Sequence, residues 1–395
     1  MAGRQQQMRQ EERPPQAQPR KKKRVRRFYN YSLLFTVIFV TVFGLIMIYS
    51  ASSYTAQLMY GDAGYFMKRQ ALIAAGGFLV MIVISKINYH IFAKFAFLAY
   101  AMSYVLMIAV SFFGRVVNGK RRWLGIGPFS FQPTEFVKVA LIVTLAVVIT
   151  RMGGQINRLK NMVKVAAMAL PLALMVAANN LSSGIIICGI VFVMLFVATK
   201  KKLIFGACVG AAGVVYCFAG QIGHALEAIG LLQSYQLERI NVWLNPEAYA
   251  QEGGFQVLQG LYAIGSGGLL GKGLGESIQK MGFLPEAQND MIFSIICEEL
   301  GLFGAVSVIF IFLFMIYQFM IVANSAPDLF GALLVVGVMA HIAIQVILNI
   351  AVVTNSIPNT GITLPFISYG GTSVLFLMVE MGIVLSVSNQ IKLEK

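Results

Sequence analysis

Four carboxylates crowd one apolar stretch. Glu286 and Asp290 stand just before it in LPEAQNDMIFSIICEELG, and Glu298 and Glu299 lie about two turns further on. Acids beside or inside so much oil need a partner or a task. Asp290 and its neighbour Asn289 are both residue types that cap a helix start. A carboxylate in that place is also suited to take a proton from a hydroxyl. Glu298 and Glu299 are adjacent, so they point in different directions, and at least one requires a buried partner or a raised pKa. In FQPTEFVK, Glu135 and Lys138 are three apart and share a helix face, with Pro133 at the helix start. They read either as a structural ion pair or as one that also shapes a polar cavity. A third group is basic: Lys68 with Arg69, and Arg115, Lys120, Arg121 and Arg122 within eight residues. Arginine matches phosphate with paired hydrogen bonds. The competing reading is interfacial anchoring by Arg and Trp123.

These groups must be positioned by membrane-spanning helices. The chain has 395 residues, 58% apolar, and only 12% charged, where a soluble domain carries about 25%. Apolar runs fall near 31–50, 70–85, 91–113, 134–150, 163–179, 183–199, 203–222, 291–323, 328–350 and 366–388. The expected fold class is therefore all-α and polytopic, with about ten transmembrane helices and a large extracytoplasmic loop, 223–289, between the seventh and eighth. Positive residues at 21–27, 151–164 and 200–202 mark cytoplasmic ends, which puts both termini in the cytoplasm. Lys68–Arg69 and Arg115–Arg122 then fall outside, against the rule. The 223–289 loop is also outside and bears Glu227, Glu238, Glu247, Glu252, Glu276 and Glu286 against Arg239, Lys272 and Lys280. One external face thus offers a basic patch and an acid-bearing loop.

Residues 1–27 hold ten Arg/Lys and two Glu, more than half of the net charge of +15. This Gln- and Pro-rich segment is expected to be a disordered cytoplasmic tail against anionic lipid. No aromatic residue precedes Phe28 and no nucleic-acid fold signature follows, which argues against nucleic acid as a partner. The expected organisation is that tail, a membrane domain over 28–391, and a short cytoplasmic end at 392–395. The four cysteines read as small buried apolar residues, and the three histidines are too scattered for a metal cluster, with His341 given to packing. Glu380, in the last span, is a further costly acid. GLYAIGSGGLLGKGLGES (260–277) has neither a dinucleotide fingerprint nor a Walker lysine. It reads as a tight external loop that re-enters the interface, with Glu276 and Lys280 beside it. Pro358, Gly361, Pro365 and Gly370–Gly371 likewise forbid a regular helix over 354–373, a re-entrant segment that includes Ser368.

An external site has no ATP, so a bond-forming reaction there needs an activated substrate. A lipid-linked sugar diphosphate fits: its tail stays in the bilayer and its diphosphate lies at headgroup depth. A carboxylate would take the proton of the attacking hydroxyl, and cations would hold the departing diphosphate.

NGKRRW (118–123), FQPTEFVK (131–138), LPEAQNDMIF (284–293), EELG (298–301) and PNTGITLPFISYGGTS (358–373) resemble the SEDS family, the shape, elongation, division and sporulation proteins. YSASSYTA (49–56), KRQ (68–70) and ERINVWLNP (238–246) add to the likeness, which runs over 28–391 and is closest to the FtsW/SpoVE branch. The resemblance implies ten transmembrane helices and an enzyme polymerising lipid II into β-1,4-linked glycan strands outside the cell membrane, with release of undecaprenyl diphosphate. It implies a class B penicillin-binding protein as crosslinking partner, within division, elongation or sporulation machinery. Asp290 matches the essential acid, Arg121 and Arg122 the basic pair, and Glu135 and Lys138 the helix pair. Lys68, Arg69, Lys120, Glu276, Lys280, Glu286 and Ser368 complete the expected substrate-binding set. No cofactor is required; a divalent cation, Mg2+ or Mn2+, is compatible with a diphosphate beside carboxylates. The chain departs from the family at QPTE (132–135), NDMIF (289–293) and NNLSSG (179–184), the last lacking that turn's usual acid. A lipid II flippase and a non-catalytic division scaffold are the alternative readings.

Overall fold

A computed structural model describes residues 26–117, 120–126, 129–230, 234–251 and 253–393. Helices α1 (Tyr31–Tyr60), α2 (Tyr65–Lys86), α3 (His90–Phe113), α4 (Pro133–Met152), α5 (Leu159–Asn179) and α6 (Leu181–Ala198) form the first half. Helices α7 (Lys202–Cys217), α8 (Ala219–Ala228), α9 (Ser234–Leu244) and α10 (Gly254–Ser266) follow, then α11 (Ile292–Asn324), α12 (Leu329–Val353) and α13 (Gly371–Ser388). Among the described residues nine helices are long and apolar enough to span a membrane, and α7 with α8 makes a tenth candidate bent by 81°. The chain is a polytopic α-helical membrane protein. The spans expected at 70–85 and 134–150 extend into their charged flanks, to Tyr65–Lys86 and Pro133–Met152.

Local chemistry sets the boundaries. Asn30 caps α1 by accepting from the Leu33 amide at 2.9 Å, and Asp328 caps α12 by accepting from Gly331 at 2.7 Å. Asn180 ends α5 and caps α6, accepting from Ser183. The spans are amphipathic only in the sense of inside and outside: Phe35, Phe112, Leu203 and Phe303 face outward, as a lipid-facing surface allows. Helices α12 and α13 are buried over most of their length and form the centre. Helix α13 packs along α2, and α12 packs on α4, α6, α10 and α11.

Three expectations change. Arg26–Arg27 (β1), assigned above to the disordered tail, pairs antiparallel with Lys392–Leu393 (β5); residues 1–25 lie outside the described part. The basic stretch after α3 is a sheet, with β2 (Arg115–Val117), β3 (Lys120–Ile126) and β4 (Phe129–Phe131) in antiparallel order. Its Trp, Ile, Val and Phe content suits strands, a signal hidden by its charge. About half of the 223–289 segment is helical, including α9 and α10, and α10 packs on α11.

Candidate functional site

The carboxylates sort into two groups. Glu298 is fully buried and collects donors from one loop: Lys272 Nζ at 2.7 Å, Ser277 Oγ at 2.5 Å, and the amides of Ile278 and Gln279 at 3.1 and 3.3 Å. Glu299, equally buried, accepts from Ser50 Oγ at 2.6 Å and Lys280 Nζ at 2.9 Å. Both acids thus have the buried partners their cost demands. They hold the glycine loop 267–284 against α11.

That contact explains the glycines. Helix α11 breaks at Gly301, whose φ of 66° and ψ of −165° are not helical. Gly271 (φ 81°) fits against the break: a Cβ there would lie 2.1 Å from the Glu299 carbonyl oxygen, and one on Gly301 would lie 2.3 Å from the Gly271 nitrogen. Gly271 and Gly301 are therefore tied to this crossing both by backbone angle and by space. The run 260–277 begins as helix α10 rather than as loop, and its glycine part packs on a broken helix.

Asp290 sits in the turn before α11 and is 8% exposed. Its carbonyl accepts from Asn349 Nδ2 at 2.8 Å, and the same amide donates to the Ile362 carbonyl at 2.6 Å. Its Oδ2 faces Gly361, where a Cβ would come within 3.5 Å. Oδ1 has no hydrogen-bond partner among the described residues. Burial pushes the Asp290 carboxyl up to about 7, and the neighbouring Glu286 charge adds to the push; Gln256 on α10 works against both. Glu286 is exposed, has a φ of 55°, and accepts from Asn289 Nδ2.

The irregular segment 354–370 forms the opposite wall. Side chains from five elements satisfy its backbone, as irregular chain at membrane depth requires. Gln345 Nε2 donates to the Thr363 carbonyl at 3.0 Å, Ser182 Oγ to Thr360 at 2.5 Å, and Arg239 Nη1 to Asn359 at 3.1 Å. Trp243 and Asn355 exchange hydrogen bonds at 3.0 and 3.2 Å. Asn359 Nδ2 donates to Gln256 Oε1 at 3.2 Å, and the Tyr369 amide to the Gln288 carbonyl at 2.9 Å. Asp290 therefore lies between α10, the C-terminal end of α12 and this segment. Gln256, Gln345 and Asn349 were not singled out from sequence. Gln345 and Asn349, four residues apart and following His341 at the same spacing in an apolar helix, were the available signal.

The expected substrate-binding residues separate on the structure. Lys138 and Glu135 pair at 2.9 Å and are both buried, while Glu135 Oε2 and Thr134 Oγ1 have no partner among the described residues. Lys68 pairs with Asp62 at 2.8 Å on the surface. Arg69 is exposed beside Tyr369; burial raises the Tyr369 phenol, and Arg69 opposes that rise. Arg121 Nη1 donates to the Ser111 and Phe112 carbonyls at 2.9 and 2.7 Å, and Arg122 Nε to the Asn179 carbonyl at 2.9 Å. The basic pair thus meets the C-terminal ends of α3 and α5, where the dipole favours cations, and Arg121 remains exposed. The Lys120 side chain lies outside the described part. Lys280 is committed to Glu299, and Ser368 Oγ accepts from the Leu364 amide at 2.8 Å inside the 354–370 segment. Both are internal supports. Glu276 is exposed on the glycine loop. Among the described residues no three His, Cys, Asp or Glu side chains gather as a metal centre. His341, assigned to packing, instead contacts Glu380: Nδ1 lies 2.8 Å from its carboxylate.

Known proteins extend the comparison. Stage V sporulation protein E of Bacillus subtilis (strain 168) is 38% identical over 362 residues, covering 90% of this chain and 95% of that one. A probable peptidoglycan glycosyltransferase FtsW of Trichlorobacter lovleyi is 35% identical over 371 residues, 92% of this chain and 94% of that one. Two solved folds agree at 24% identity. A chain of a peptidoglycan synthase complex gives a TM-score of 0.74 over 91% of this chain and 97% of its own. The rod shape determining protein RodA of Thermus thermophilus gives 0.66 over 93% and 98%. The family profile FtsW/RodA/SpoVE, described as cell cycle protein, matches residues 31–393. The chain belongs to this SEDS family.

Proposed function

We propose that the protein is a peptidoglycan glycosyltransferase that polymerises lipid II on the outer face of the cytoplasmic membrane. The observation that carries this reading is Asp290: a nearly buried carboxylate, pushed up to about 7, with an unpartnered oxygen at the meeting of three elements. A base of that strength suits proton removal near neutral pH. The names of the FtsW relatives support the reaction class.

In the proposed step Asp290 takes the proton of the 4-hydroxyl of the acceptor N-acetylglucosamine. The oxygen's electron pair attacks C1 of the donor N-acetylmuramic acid and forms the β-1,4 bond with inversion. The bond from C1 to the diphosphate oxygen breaks, and undecaprenyl diphosphate leaves with that pair. Arg69, exposed beside Tyr369, and its neighbour Lys68 are the cations assigned to the diphosphate in this reading. Arg121 and Arg122 hold two helix ends beside it. A class B penicillin-binding protein crosslinks the product, and the basic N-terminal sequence takes anionic membrane lipid as its partner. The test is strand synthesis from purified lipid II, with and without that transpeptidase. Wild-type protein makes strands and Asp290→Ala makes none. Strand synthesis by the variant with lost lipid translocation would favour the flippase, and an unaffected division partnership with no synthesis by either protein would favour the scaffold.

A further inference from the structure

Helix α12 carries three polar side chains in an otherwise apolar sequence: His341, Gln345 and Asn349. The spacing stacks them on one face, about 6 Å apart along the axis. They are 1%, 3% and 0% exposed. Each uses one polar atom on a neighbouring element and leaves the other without a partner among the described residues. Asn349 donates to the Asp290 carbonyl and keeps Oδ1 free; Gln345 donates to Thr363 and keeps Oε1 free. His341 Nδ1 lies 2.8 Å from Glu380, and Nε2 is free. In the neutral imidazole beside an ionised carboxylate, which only accepts, Nδ1 carries the hydrogen and Nε2 a lone pair. The stripe thus runs from Asn349, which meets the Asp290 backbone carbonyl, to the His341–Glu380 pair about 12 Å further along the axis. A buried acceptor without a donor is costly, and water is its usual remedy.

We propose that this stripe is a hydrated proton path joining Asp290 to the His341–Glu380 pair. The inference rests on Asp290 acting as the base. About four waters in contact cover the distance; each gives one O–H to an acceptor on α12 or to the next water. The proton taken from the sugar hydroxyl leaves the Asp290 carboxyl, each water passes one proton on, and His341 Nε2 gains one. The electron pairs stay on their oxygens, and the pair's charge goes from −1 to 0. The reverse passage returns the proton when product departs. This gives Asp290 a proton acceptor while a lipid-linked substrate covers the outer crevice. It also gives Glu380 a role that packing does not.

Other charges on the elements against α12 are engaged. Glu298 and Glu299 on α11 are bound by Lys272 and Lys280, and Glu135 and Lys138 on α4 by each other. Arg151 on α4 lies over the Phe97 ring, and α6 and α10 carry no charged residue. The other titratable groups there are Cys188, Cys297, Tyr262 and Tyr317.

The test is an infrared pH titration of the full chain in membranes. The Asp290 carboxyl band is assigned by its loss in Asp290→Asn. Gln345→Met and His341→Phe each remove polar contacts of the path, so each raises the Asp290 midpoint by about 0.5 pH or more. The double variant shifts it no further than the larger single one, because both cut one chain. An unchanged midpoint in the folded variants, or additive shifts, overturns the path. Single-turnover synthesis should also slow about tenfold in Gln345→Met with KM unchanged. If wild-type protein made no strands, the functional reading would fail while the titration still judged the path.

Discussion

Replacing Asp290 by Asn should remove strand synthesis and yet make the protein more stable. The carboxyl's ordinary value is 3.8, and burial first, then Glu286, push it up to about 7. The folded chain therefore favours the protonated form. Its stabilising effect is complete below the unfolded value near 3.8 and is lost as pH rises through about 7. At 1.36 kcal/mol per tenfold step, the distance from 3.8 to 7 bounds the cost of ionised Asp290 at about 4 kcal/mol above pH 7. Hydration of the unpartnered Oδ1 reduces this to roughly 1–3 kcal/mol. Asn has the same shape and no charge, so Asp290→Asn recovers that amount. For 395 residues the gain in the thermal midpoint is on the order of 1–4 °C at pH 8. It should shrink to nothing by about pH 4, where both side chains are neutral when folded. The assay is thermal unfolding of wild type and variant across that range, with strand synthesis measured beside it. A variant no more stable at pH 8, or one whose gain persists undiminished at pH 4, would refute the argument that this carboxylate is held at a cost in stability.

Glu286→Gln removes the second cause of the raised value, so the acid limb of the pH–rate profile should move down by roughly 0.5 pH, read from initial rates between pH 5 and 8. Lys280→Met leaves Glu299 buried without its cation and should cost about 3–5 kcal/mol, visible as a lower thermal midpoint and faster proteolysis of the 267–284 loop. Gly301→Ala sets a Cβ 2.3 Å from the Gly271 nitrogen at a positive φ, and the protein should fail to accumulate in membranes. Arg121→Ala frees the Ser111 and Phe112 carbonyls and should lower stability by about 1 kcal/mol, with a loss of hydrogen-exchange protection confined to the end of α3.

What the sequence made legible was local. Pro133, Glu135 and Lys138 lie within one and a half turns, so spacing alone placed the ion pair. The apolar runs located the spans because length and hydropathy are properties of a single segment. Partners distant in sequence were hidden. Glu298 meets Lys272 across 26 residues, and Glu299 meets Ser50 across 249, so two acids that could have been chemical are structural clamps. The carbonyl partners of Arg121 and Arg122 were hidden for the same reason: the packing of β3 against α3 and α5, not local spacing, brings them together. His341 was read alone because Glu380, 39 residues later, lies on another helix.

The short pairing of Arg26–Arg27 with Lys392–Leu393 has a topological consequence. Two chain ends joined by backbone hydrogen bonds must emerge on one side of the bilayer, and such a chain crosses an even number of times. Among the described residues nine helices are long and apolar enough to cross, an odd count, so one further passage is called for. The angular pair Lys202–Cys217 and Ala219–Ala228 is the segment whose composition can supply it. Parity thus favours counting that elbow as one crossing, although neither arm alone reaches from one face to the other.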